Sequence, residues 1–309
     1  MKVTKEYHYS ETFYSMQGEG HYTGRPTVWL RYYLCNLQCN GFGQLDPKNP
    51  ETYFLPYQDI DVHEKDIFGE AKYKVMEDLP VFEHGCDSSY SWSKKFKHLQ
   101  RKGTPEQITD VLEGLLPTGK FGDNIHLCFT GGEPLMPHAQ MCTQGILETL
   151  EDRNNTPDYI TFETNGTQRL TDEFFNYIDS FVVASRPEFF FSVSPKLWTV
   201  AGEKADKAIQ PDVVAQYTKI DSCNGQLKFV ANGTDECWDE IDSVVQQMRD
   251  AGVEWPVWIM GVGATVEGQK AQIKGHHYTD GEIADMALQR GFNVSARVHC
   301  YLWGNKIGV

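Results

Sequence analysis

The chain has 309 residues, enough for one large α/β domain or two ordinary ones. Its apolar content of 40% supports a real core, and its formal charge of -15 argues against a general binder of nucleic acid or of anionic membrane. No apolar run approaches the roughly 20 residues of a membrane span, and the polar start from Met1 to Tyr7 has no signal-peptide core, so a cytoplasmic protein is expected.

Residues Glu11–Gly20 read as a short strand running into a glycine-rich turn, where Gly18 and Gly20 allow a close approach of backbone. Thr27–Leu34 is an apolar, β-branched and aromatic strand interrupted by Arg31. An arginine in such a run needs a partner, either a structural carboxylate or a ligand carboxylate suited to its planar fork. Cys35 and Cys39 then fall on the loop at that strand's end, the edge where α/β folds place their chemistry. Residues 43–85 hold four prolines, a charged stretch and several aromatics without a clean period. They are expected to form an inserted subdomain or a long ordered loop.

From residue 104 the pattern is regular. Thr104-Pro105-Glu106-Gln107 is a capping box that opens a helix through about Leu116. Strands are expected at Ile125–Phe129, Tyr159–Phe162, Phe189–Val193, Gln226–Val230, Val257–Met260 and Asn293–Val298. Helices are expected near Ala139–Arg153, Thr171–Ile178, Glu236–Ala251 and Gly281–Arg290. The alternation predicts βαβ units, a parallel sheet, and polar strand ends gathered on one edge.

Eight cysteines in a chain of this type belong to a reducing compartment. Cys128, Cys142 and Cys237 lie in apolar or helical runs and read as core. Cys35, Cys39 and Cys86 can hold a soft metal. Zinc is one reading, with His84 as a fourth ligand and His63 and His98 as further imidazoles. The other is an iron–sulfur cluster with three thiolates and one open iron. Thr130-Gly131-Gly132-Glu133-Pro134, at a strand end, offers backbone polar groups and a carboxylate to a small ligand.

Cys35-Asn-Leu-Gln-Cys39 resembles the start of the CxxxCxxC signature of radical S-adenosylmethionine enzymes, and Gly131-Gly132-Glu133-Pro134 their GGEP motif. More narrowly, Ser15–Gly20, the Arg31 strand, Cys86-Asp87-Ser88, Glu163–Thr167, Ser194-Pro195-Lys196, Lys228–Val230 and His299 with Trp303-Gly304 resemble 7-carboxy-7-deazaguanine synthases. The resemblance implies a partial (β/α) barrel of parallel strands, one domain over 1–309 with an insertion at 43–85 in the cluster loop. The usual third cysteine position holds Phe42, so the third cluster ligand is carried to Cys86.

What the resemblance implies is a lyase that rearranges 6-carboxy-5,6,7,8-tetrahydropterin to 7-carboxy-7-deazaguanine with loss of ammonia, in queuosine-type biosynthesis. The cofactors would be a [4Fe–4S] cluster on Cys35, Cys39 and Cys86, S-adenosylmethionine, and Mg2+ at Ser88. Met16, Gln17, Gly18, Arg31, Thr130 and His299 would bind the pterin. Gly85, Asp87, Gly132, Glu133, Glu163, Ser194, Pro195, Lys196, Met260 and Gly263 would bind S-adenosylmethionine. No side chain is expected to be catalytic beyond the cofactor-borne radical. An electron donor such as flavodoxin or ferredoxin and a homodimer are expected partners. Two alternatives stay open: another radical enzyme of this kind, such as a glycyl-radical activase, and a zinc-stapled α/β protein without activity.

Overall fold

The computed structural model describes residues 5–122, 124–185, 187–221, 223–265 and 280–308, so the N-terminal Met1–Thr4 lies outside the described residues. Nine strands form one sheet in the order β3-β1-β2-β4-β5-β6-β7-β8-β9. They are β1 (Tyr7–Met16), β2 (Pro26–Tyr32), β3 (Arg101–Gly103), β4 (His126–Gly131), β5 (Tyr159–Thr164), β6 (Glu188–Val193), β7 (Asn224–Ala231), β8 (Val257–Gly261) and β9 (Asn293–Val294).

The helices in chain order are α1 (Pro56–Asp59), α2 (Pro105–Leu115), α3 (Pro137–Asp152), α4 (Asp172–Ser185), α5 (Trp198–Ala201), α6 (Ala205–Ala208), α7 (Pro211–Tyr217), α8 (Asp235–Asp250), α9 (Asp280–Gln289) and α10 (Val298–Trp303). The expected capping box is present on α2. Thr104 Oγ1 accepts from Gln107 N at 3.3 Å, and Gln107 Oε1 accepts from Thr104 N at 3.0 Å. The connection from β6 to β7 holds three short helices that the sequence pattern did not indicate.

Two expectations are corrected. The sheet is not parallel throughout. β1 pairs antiparallel with β2 and with β3, while β2 and β4 to β9 run parallel. Consecutive strands joined by the short 17–25 turn can only pair antiparallel. The last strand also stops at Val294. Ser295 N still bonds Ile259 O at 2.8 Å, but the Ser295 hydroxyl accepts from Gly20 N at 2.8 Å, and the chain leaves the sheet for α10.

Side chains alternate across the sheet, as the pleat requires. Val28, Leu30 and Tyr32 of β2, Phe129 of β4, Phe162 of β5, Phe191 of β6 and Phe229 of β7 enter the main core beneath the helices. Trp29, Arg31, Thr130, Glu163, Lys228 and Met260 line a cavity on the other face. This two-faced pattern escaped the sequence because aromatics occupy both faces, so each strand reads as one continuous apolar run.

The strand pairing does not close on itself, since β3 and β9 are its edges. It curls nonetheless. His21 N, in the turn after β1, donates to Gln226 Oε1 of β7 at 3.0 Å, and Gly20 N reaches Ser295 beyond β9. A turn at β1 reaches strands that far across the sheet only where the sheet bends around it. Below the cavity, Tyr22 packs edge-on against His126, Tyr159 and Phe190.

A second, smaller core gathers Tyr57, Tyr73, Met76, Leu79, Phe82, Tyr90, Phe96, Leu99 and Ile307. It belongs to the segment between β2 and β3 and to the C-terminal tail. No described helix is long and apolar enough to cross a membrane.

Candidate active site

The cysteine loop leaves β2 through two residues with left-handed backbone, Leu34 at φ 86° and Cys39 at φ 54°. Such conformations cost about 1 to 3 kcal/mol each and persist where the surroundings hold them. Here the surroundings are specific. Buried Glu203 accepts from Gln38 N at 2.7 Å and from Cys39 N at 2.8 Å, and Gly41 N donates to Ala201 O at 2.9 Å. The chain segment after β6 therefore clamps the loop after β2.

The Gly131-Gly132 pair has a packing reason. A Cβ on Gly132 would sit 2.1 Å from Leu34 O and 2.9 Å from Cys35 Cβ. The end of β4 runs directly against the cysteine loop, and Glu133 N donates to Leu34 O at 2.9 Å.

Cys86 joins Cys35 and Cys39 although residues 40–85 separate it from the pair. The three thiols pack in one cluster with Leu37, Phe42, Ala201 and Ala208, and all three line the cavity. Burial pushes all of them up, Cys35 to about 12. Such thiols are poor nucleophiles at neutral pH and become thiolates where a metal displaces the proton. Asn165 Nδ2 lies 3.8 Å from Cys35 Sγ, a polar contact that would tune a bound ligand.

Among the described residues, no three His, Cys, Asp or Glu side chains converge on a point that one metal ion can occupy. His84 stacks edge-on against Phe54 at 5.3 Å and does not line the cavity. His84 therefore does not join the three thiols at the cavity.

A chain of ion pairs also lines the cavity. Lys228 Nζ bonds Glu19 at 2.8 Å and Glu163 at 3.0 Å. Arg297 bonds Glu19 at 2.9 Å and Asp87 at 2.8 Å, and Arg31 bonds Glu11 at 2.6 Å. Burial works to raise the Glu19 carboxyl, but Lys228 and Arg297 together hold it well below the usual carboxylate range. Burial pushes His299 down, against the pull of Glu19 3.9 Å away, so its ring is neutral at pH 7. Among these cations Lys196 differs. Its nearest polar partner is Ser194 Oγ at 2.9 Å, and it lies over the Phe42 ring at 5.8 Å. The cavity measures about 290 Å³, at the small end of the roughly 300–1,000 Å³ of ligand pockets.

No protein-family model matches the chain. Among curated proteins, it is 26% identical to the 7-carboxy-7-deazaguanine synthase of Rhodopirellula baltica, over 97% of this chain and 87% of that one. It is 25% identical to that of Halobacterium salinarum, over 96% and 90% of the two chains, and 24% identical to that of Pyrobaculum aerophilum over the full length of both. The chain resembles 7-carboxy-7-deazaguanine synthases along nearly its whole length. Among solved structures, QueE from Escherichia coli shares the fold, with a TM-score of 0.50 over 95% of each chain at 18% identity.

The residues that this resemblance singles out mostly converge. Met16, Gln17, Gly18, Arg31, Thr130 and His299 all line the cavity, as do Gly85, Asp87, Ser88, Gly132, Glu163, Ser194, Lys196, Met260 and Gly263. Glu133 and Pro195 do not. The Glu133 carboxylate is spent inside the fold, accepting from Thr164 Oγ1 at 2.7 Å, Asn165 N at 2.8 Å and Leu135 N at 3.0 Å. Burial pushes it up to about 7. Arg31 has the structural partner that one reading expected, since Glu11 holds its Nε, and its Nη1 donates to Ser88 Oγ at 3.1 Å in the cavity.

Five residues of the site escaped the sequence: Glu11, Glu19, Asn165, Lys228 and Arg297. Glu19, Asn165 and Lys228 sat inside motifs already noted. Arg297 had no signal, because its run read as the end of a strand.

Proposed function

We propose that the chain is a 7-carboxy-7-deazaguanine synthase, a radical S-adenosylmethionine lyase acting on 6-carboxy-5,6,7,8-tetrahydropterin with loss of ammonia. The observation that carries this reading is the meeting of Cys35, Cys39 and Cys86 in one cavity that polar and charged side chains also line. The curled open sheet is read as the partial barrel of that superfamily, and residues 43–85 as an insertion in its cluster loop.

The three cysteines would hold the [4Fe–4S] cluster. Such a cluster would supply one-electron reduction of S-adenosylmethionine, the radical source of this chemistry. Ser194 and Lys196 would hold polar groups of that cofactor, and Met260 to Gly263 would face its adenine. Lys196 suits a carboxylate, because it has no acidic side chain within bonding distance among the described residues.

Gln17 is pre-oriented for the pterin edge. Its Nε2 donates to Glu163 Oε1 at 3.0 Å, and its Oε1 accepts from Glu19 N at 3.2 Å. Arg31 would meet the substrate carboxylate with its orientation fixed by Glu11. His299, neutral and beside Glu19, is placed to accept or return a proton as ammonia leaves. Magnesium prefers hard oxygens, and Ser88 and Asp87 supply them. Ser88 Oγ here accepts from Arg31 Nη1 at 3.1 Å. The electron donor, the homodimer and the cytoplasmic setting belong to the same proposal.

Anaerobic incubation of iron-loaded protein with 6-carboxytetrahydropterin, S-adenosylmethionine and a reductant should yield the deazapurine, detected by mass. Cys86→Ala should give neither product nor full iron, whereas Phe42→Ala should keep its iron. A fully loaded wild type that cleaves S-adenosylmethionine but leaves the pterin unchanged would overturn the substrate assignment.

A further inference from the structure

We propose that Arg297 is a positioning residue, a latch that ties the Cys86 loop to the turn after β1 and so keeps the third thiol beside Cys35 and Cys39. The proposal rests on the reading of these cysteines as one ligand set.

Cys86 is brought to its place from far along the chain, and the backbone bond its own carbonyl accepts, from Ser89 N at 3.0 Å, closes only a local turn. Backbone bonds secure the flanks. Gly85 N donates to Phe42 O at 2.8 Å, and Leu34 N donates to Ser91 O at 2.8 Å. Between those points the backbone bonds are local, Ser89 N to Cys86 O and Ser91 N to Ser88 O, and the ties to other segments are made by side chains, Arg31 on Ser88, Tyr90 on Glu11 and Arg297 on Asp87. Arg297 is the wider bridge. Its Nη2 donates to Asp87 Oδ2 at 2.8 Å, its Nε to Glu19 Oε1 at 2.9 Å, and its Nη1 to Gly263 O at 2.6 Å. Those acceptors sit beside Cys86, beside Gly18, and on the loop after β8.

A planar guanidinium spreads its donors widely enough to serve three segments at once, and an ammonium does not. The latch has a fixed anchor, because Val298 N donates to Gly18 O at 3.0 Å next to it. Removing the guanidinium leaves Asp87 and Glu19 as carboxylates on facing segments. Lys228 offsets only Glu19 by direct contact. The remaining repulsion acts to open the loop that carries Cys86.

The test uses the full-length, metal-free chain and follows iodoacetamide alkylation cysteine by cysteine by peptide mass. Arg297→Met should speed alkylation of Cys86 by about tenfold or more, the scale of a local opening eased by one broken ion pair. Cys128 and Cys142, both fully buried, should stay unreactive. Asp87→Ala, which breaks the contact without leaving the repulsion, should give a smaller but still selective rise at Cys86, and the double variant no more than Arg297→Met alone, because both break one contact.

An unchanged Cys86 rate, a double variant exceeding both singles, or a rise shared by Cys128 and Cys142 would each overturn the latch. Should Arg297→Met not fold, Asp87→Ala alone must still raise Cys86 selectively. Alkylation needs no cluster and no substrate. A wild type that makes no deazapurine therefore counts against the proposed function, and the Cys86 pattern decides the latch separately.

Discussion

At the scale of single residues, the site is built on close approach and on committed charge. Gly18 shows the first. A Cβ there would fall 2.0 Å from His299 Nδ1, so the turn and the imidazole share one small space. Gly18→Ala should displace His299 and lower kcat/KM by about 100-fold, the usual cost of moving a functional group by an ångström. Thermal unfolding should move little, because the ring can swing into the cavity. Steady-state kinetics beside a melting curve would check both halves. Arg31 and Arg297 show how unevenly charge is legible. Arg31 interrupts an apolar run, so its need for a partner is visible in sequence. Arg297 lies among Ser295, Ala296 and Val298, where an arginine calls for no explanation.

At the scale of elements, local chemistry sets the helices and distant chemistry sets the loops. The capping box on α2 closes within four residues, so Thr104 and Gln107 announced it. Thr104→Ala should cost about 1 kcal/mol in urea unfolding and leave turnover alone, because α2 buries Ile108 and Leu112 in the helix-covered core. The cysteine loop behaves differently. Its left-handed Cys39 is held by Glu203, which follows β6, and its left-handed Leu34 by Ser91 and Glu133. No pattern within the loop encodes that. The short β9 makes the same point, since Ser295 leaves the sheet for a partner in the first turn of the chain.

At the scale of the whole molecule, the curled sheet separates a site above from an aromatic floor below. The floor contains a titratable ring. His126 stacks on Tyr159 at 4.5 Å and meets Tyr22 edge-on at 4.7 Å. Burial, aided by Arg25, pushes it down to about 4. The fold therefore keeps the ring neutral, while the unfolded chain protonates it below its ordinary value near 6.5. The resulting stabilisation is present in full above pH 6.5 and is lost as the pH falls towards 4. The loss amounts to about 3 kcal/mol for a shift of this size. Urea midpoints measured from pH 7.5 to 4.5 should fall accordingly, and His126→Phe should flatten that part of the decline.

The sequence by itself determined the alternation of strands and helices, the cysteine pair at a strand end, and the Gly-Gly turn opposite. These are short-range matters of period, capping and backbone freedom, settled within a few residues. The step Cys86-Asp87-Ser88 also pointed to Cys86, and the tertiary structure packs it with the pair. Tertiary structure alone decided that Glu133 is spent inside the fold and that Arg297 spans three segments. The Arg297 bridge depends on the sheet curling around the 17–25 turn. That curl brings together residues from opposite ends of the chain, and it arises from the packing of nine strands rather than from any one of them.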